Sequence, residues 1–79
     1  MNDQRRAELG RIVKELEFLK EELEHESNGE YEAFDNLPDG LQDSDRGLKL
    51  QENGETLEEA ITDFQNVLDL IEKAISKEE

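Results

Sequence analysis

Carboxylates are the chemistry-bearing groups of this chain: 23 Asp or Glu among 79 residues. Acid–base catalysis needs two carboxyls in different, partly buried environments, so that their pKa values separate. The chain is only 33% hydrophobic, against about 45–50% for an ordinary globular domain. It has little apolar material from which to build such a pocket. The one histidine, His25, lies between Glu24 and Glu26, two residues past an apolar position. It is expected to face solvent without the convergent partners that catalysis or metal binding requires. No serine has a nearby histidine base or the glycines of a nucleophile elbow. The segment from Asp35 to Arg46 offers Asp35, Asp39, Gly40 and Asp43 at the first, fifth, sixth and ninth positions of a calcium loop. Leu37 occupies the third, however, and Arg46 the twelfth, where a bidentate Glu belongs; Pro38 falls inside as well. An ordinary acidic connector is the expected reading. The residue types and spacings predict no enzyme, no metal and no cofactor.

The elements that carry these carboxylates are expected to be helices. Leu9, Ile12, Leu16, Leu19 and Leu23 follow a 3-4-3-4 spacing that puts them on one stripe. Asn2 stands where an N-cap belongs. The phase carries on to Tyr31 and Phe34, so the first helix either runs on to about residue 34 or breaks at Ser27-Asn28-Gly29; one long helix over about 3–34 is favoured. Leu57, Ile61, Phe64, Leu68, Ile71 and Ile75 form a second seam. Thr56 and Glu59 match a capping box, which predicts a second helix over 56–77 and a destabilising Thr56→Ala change, with Ser44 mattering less. Residues 35–55 hold the only Pro and three of the five Gly and are expected to form an irregular connector. Leu50 lies seven residues before Leu57, so a short helix in this region would be in phase with the second.

The expected fold is therefore all-α: one domain over residues 1–79, an antiparallel two-helix hairpin. So small a core seldom supplies more than about 3–5 kcal/mol, and no cysteine is present to add disulfides. Phe18 and Val13 lie off the first seam, while Ala60, Val67, Leu70 and Ala74 form a second stripe on the second helix. Phe18, Ala60, Val67, Leu70 and Ala74 are accordingly the expected oligomer interface of a homodimer forming a four-helix bundle.

Charge is the most informative pattern. Residues 15–63 contain 17 Asp or Glu against Lys20, Arg46 and Lys49, a net of −14, which is the net charge of the whole chain. Outside that span, Asp3, Glu8, Asp69, Glu72, Glu78 and Glu79 are balanced by Arg5, Arg6, Arg11, Lys14, Lys73 and Lys77. Folding as a hairpin gathers the balanced segments at one end. Spread over a helix of about 25 residues, about 37 Å, the net charge amounts to roughly one per 3 Å. Duplex DNA carries about one per 1.7 Å. Such a surface repels nucleic acid and anionic membranes and attracts basic proteins. Solubility alone would account for acidity, though not for its segregation. The start of the chain is polar, and no apolar run reaches the length of a signal peptide or a membrane span, so a cytoplasmic protein is expected.

The run Glu32-Ala33-Phe34-Asp35-Asn36-Leu37-Pro38-Asp39-Gly40-Leu41-Gln42-Asp43-Ser44-Asp45-Arg46-Gly47, followed by Leu57-Glu58-Glu59-Ala60-Ile61, resembles small acidic helical proteins of phages and mobile elements of Gram-positive bacteria. In these an E-A-F/Y-D-N-L-P-x-x-L-Q-x-S-x-R-G run links two Glu-rich helices. The match covers roughly residues 32–61; Leu48–Thr56 departs from it and looks inserted. The resemblance implies a phage or mobile-element origin and a bacterial host cytoplasm, where small acidic proteins often inhibit host defence enzymes. It carries no functional residues over. The expected function is an acidic binding protein that blocks a basic, nucleic-acid-binding host protein by charge mimicry. The expected contact residues are Glu21, Glu22, Glu24, Glu26, Glu30, Glu32, Asp35, Asp39, Asp43, Asp45, Glu58 and Glu59. The alternatives are a self-assembling adaptor whose acidity only solubilises it, and a small-ligand sponge using Arg5, Arg6, Arg11 and Lys14.

Overall fold

The computed structural model describes residues 1–76, so the expected helix end at 77 and the charges of Lys77, Glu78 and Glu79 lie outside the described residues. Two helices, α1 (Asp3–Asp35) and α2 (Asp45–Ser76), fold back on each other as a rod of 59 × 16 × 12 Å between Cα extremes. The described residues contain no strand. The all-helical hairpin expected from the two seams is the fold observed.

α1 starts as its sequence predicts. Asn2 has extended backbone (φ −81°, ψ 166°), and its Oδ1 accepts the Arg5 N–H at 2.8 Å, so an otherwise orphaned donor of the first turn is satisfied. The helix passes through Ser27-Asn28-Gly29 without a break. Ser27 is buried between the helices and donates its hydroxyl to the Gly54 carbonyl at 3.2 Å. Gly29 faces outward with nothing near it, so its cost is the roughly 1 kcal/mol of helix propensity and no more. The Asn36 N–H bonds to Glu32 O at 2.9 Å, and Pro38, which can donate no backbone hydrogen bond, follows just past the end.

The connector and the start of the second helix differ from expectation. α2 begins at Asp45, eleven residues before Thr56, and the connector shrinks from 35–55 to 36–44. Ser44 is the N-cap: its hydroxyl accepts the Gly47 N–H at 3.3 Å, and its carbonyl accepts the Leu48 N–H at 2.9 Å. Thr56 lies inside the helix and donates to the Glu52 carbonyl at 2.9 Å, so the Thr56–Glu59 pair is no capping box. The residues that suggested irregularity, Gly47 and Gly54, are buried and lie where backbone or ring approaches closely. Packing overrides their low helix propensity. Leu50 and Leu57 then stand in one unbroken phase, as their seven-residue spacing allows.

The loop is closed by hydrogen bonds that end one helix and begin the next. The Leu37 N–H bonds to Phe34 O at 3.1 Å, Leu41 N–H to Pro38 O at 3.0 Å and Ser44 N–H to Leu41 O at 3.1 Å. The Gln42 side chain donates to Phe34 O at 3.3 Å, satisfying a carbonyl that α1 leaves open. Gly40 has φ +87°, a left-handed conformation natural to glycine. A Cβ at Gly47 would collide with the Gln42 carbonyl oxygen.

The line of α1 that faces α2 is rotated from the expected seam. Val13, placed off the seam by its spacing, is buried, whereas Leu19 is 46% exposed. Following Val13 by steps of three or four gives Leu16, Lys20, Leu23, Ser27, Tyr31 and Phe34, all buried or half-buried. Two of these are polar, which hides the line from any count of apolar positions. Of all hydrophobic residues described, only Val13 and Leu68 are buried.

Candidate functional site

The two flanks of the rod are chemically different, and helical geometry assigns residues to each. Asn53 of α2 donates to Glu30 of α1 across one flank, Nδ2 to Oε2 at 3.1 Å. Leu19 lies eleven residues before Glu30, within about 20° of the same line on α1, and Val67 lies fourteen residues after Asn53, within about 40° of it on α2. Leu19 and Val67, 46% and 47% exposed, therefore share that flank. By the same rotation Ile12 and Leu23 of α1 and Ala60, Phe64, Ile71 and Ala74 of α2 belong to it. The opposite flank is polar: Glu17, Lys20, Glu24, Gln65 and Glu72 line a shallow depression there, with Lys20 and Glu24 paired at 3.5 Å.

Three of the five residues expected at an oligomer interface, Ala60, Val67 and Ala74, fall together on the apolar flank and are exposed. Phe18 and Leu70, 61% and 66% exposed, do not join them. Each stands two residues, or 200°, from an inward position (Leu16 and Leu68), so each points outward from its own helix. Leu19, a seam residue in the sequence reading, takes the place given to Phe18. Its seven-residue offset from Ile12 was the available signal.

The acidic residues expected to make the contact lie on the loop and on the loop-side half of each helix. Glu21, Glu22, Glu24, Glu26, Glu32, Asp35, Asp39, Asp43, Asp45, Glu58 and Glu59 are exposed, while Glu30 is half-buried against Asn53. They surround the rod and do not converge on one point. Asp45 stands in the first turn of α2, where the helix dipole favours a negative charge. Desolvation first, then hydrogen bonding to Glu58 and the negative charges of Glu58 and Glu55, hold the Tyr31 pKa above its usual 10.0.

One hollow lies against α1 alone, beside Phe18, Leu19, Leu23 and His25, and a single helix cannot aim polar groups from several directions. His25 is exposed, as expected. Arg5, Arg6, Arg11 and Lys14 are spread round α1 by their spacing, and two of them are paired: Arg6 with Asp3 at 3.6 Å and Arg11 with Glu15 at 2.8 Å. Among the described residues no group of three or more His, Cys, Asp or Glu is placed to hold a metal, and no helix is long and apolar enough to cross a membrane. Compared with protein-family models, curated proteins and solved structures, the chain matches none.

Proposed function

We propose that this protein is a non-enzymatic acidic rod that binds a basic, nucleic-acid-binding protein and blocks it by presenting charge at a density close to that of a duplex. The observation that carries this reading is the segregation of charge on rigid helix. All of the net −14 falls in residues 15–63. Those residues form the inner stretches of two continuous helices joined by a nine-residue loop closed by hydrogen bonds. From Glu15 to the tip of the loop the rod is about 40 Å long, so the net charge amounts to about one per 3 Å of rod. That is within a factor of two of the duplex value of about one per 1.7 Å. A fixed array loses little conformational entropy on binding, which favours a preformed mimic over a flexible acidic tail. The origin in a phage or mobile element, and a site of action in the host cytoplasm, belong to the same proposal and rest on the loop motif. The test is competition: a partner bound through charge mimicry releases duplex DNA as the rod is added.

A self-assembling adaptor is the second reading. It is favoured by one observation, the exposed apolar flank around Leu19 and Val67.

A further inference from the structure

We propose that the apolar flank is covered by a second copy of this chain, running in the opposite direction, so that the two acidic loop ends project from opposite ends of the dimer. Two observations select this occupant and this direction, and neither depends on the basic partner proposed above.

The first is the need for cover. Only Val13 and Leu68 are buried among the hydrophobic residues described, while Leu19 and Val67 stand nearly half exposed in the middle of a flank shared by both helices. An unaided core of this size is too small to hold two helices of more than thirty residues together firmly. A second copy is present wherever the first is, and a two-fold pair buries the same flank on both.

The second observation is charge. On α1 the flank's apolar residues run from Ile12 to Leu23, towards the charge-balanced end of the rod. A two-fold axis along the rod would lay two zones of net −14 side by side, which like-charge repulsion opposes. An axis across the rod, passing between residues 17 and 18, lays α1 against the partner's α1 with residue i near residue 35 − i. Ile12 then meets the partner's Leu23, and the two copies of Leu19 lie within one turn of each other across the axis. Arg5 lies seven residues before Ile12 and so on the same flank, and it meets the partner's Glu30, beside the partner's Glu26. Apolar residues pair with apolar ones, a basic terminus reaches an acidic middle, and the loops stand about 70 Å apart.

Light scattering of the full chain at tens of micromolar is expected to give twice the 9.1 kDa chain mass. A folded monomer at that concentration would overturn the proposal. Val67→Glu, at a position already open to solvent, is expected to halve the mass. Arg5→Glu is expected to weaken dimerisation about tenfold, because the two-fold repeats the contact, and Glu26→Arg with Glu30→Arg in the same chain is expected to restore it. Should Val67→Glu simply unfold, direction is still read from the cysteine-free chain carrying Leu41→Cys and a fluorescent label. Negligible energy transfer between loops about 70 Å apart supports the opposed pair. Near-complete transfer would show the loops together and overturn it.

Discussion

The phenol ring of Tyr31 occupies the space that a side chain at residue 54 would need: a Cβ built on Gly54 would lie 2.7 Å from Tyr31 Cζ. Four residues before Tyr31, the buried Ser27 hydroxyl bonds to the Gly54 carbonyl. One helical glycine thus receives both a ring and a hydroxyl from α1 and fixes the register of the hairpin.

Gly54→Ala is therefore expected to destabilise the protein by about 1–3 kcal/mol, the range for overpacking, although alanine is worth about 1 kcal/mol more than glycine in a helix. Gly29→Ala, where nothing lies within 4 Å of the new Cβ, is expected to stabilise by about 0.5–1 kcal/mol. Urea denaturation of the two variants checks both signs. Equal effects would mean that the ring does not fill the glycine's space.

Helix α2 is capped by Ser44, and the two candidate caps should behave oppositely. Ser44→Ala is expected to cost about 0.5–2 kcal/mol. Thr56→Ala, which removes only a back-bond to Glu52 inside a helix, is expected to be neutral or slightly stabilising. Thermal melts of both suffice, and the reverse order would return the helix start to Thr56.

Tyr31 supplies a pH signature. Folding raises its pKa, so the folded state holds its proton more tightly than the unfolded chain does. Its contribution is complete below the unfolded value of about 10 and is lost as pH rises through the higher folded value. Because Tyr31 is the only tyrosine, ultraviolet titration of the phenolate reports it alone. The midpoint is expected above 10.0 in the folded protein and to fall towards it with Glu58→Gln. A midpoint unmoved by that substitution would remove the Tyr31–Glu58 bond from the account.

Both helices and their antiparallel packing were legible because each seam repeats over several turns, and repetition outweighs single exceptions. Polar residues hid the remainder. Lys20 buries most of its stem and Ser27 all of its side chain on the facing line of α1, so apolar spacing pointed one position away, to Leu19. Glycine misled in α2: Gly47 and Gly54 read as loop, yet each is there because another group comes too close for a Cβ. Thr56 and Glu59 had the form of a cap, whereas the working cap, Ser44, has Gly47 three residues on where a capping box has Glu or Gln. Charge segregation was fully visible, since it needs only the order of residues. The division of the rod into apolar and polar flanks was not, since it depends on which sides the two helices turn towards each other.

The charge proposal makes Glu21, Glu22, Glu24 and Glu26 contact residues on an exposed part of α1. Replacing all four with Gln is expected to weaken partner binding at low salt at least about tenfold, with little change in helix content by circular dichroism. Unchanged affinity would take these residues out of the interface.

The central claim is tested most directly by taking a basic protein captured from bacterial lysate and measuring its affinity for the rod at 0.1 M and at 1 M salt, with and without duplex DNA. Screening shortens from about 10 Å to about 3 Å over that range. Charge mimicry predicts a loss of affinity of several orders of magnitude at high salt, and mutually exclusive binding of rod and duplex at low salt. Affinity that holds across the range, or a ternary complex with DNA, would contradict it.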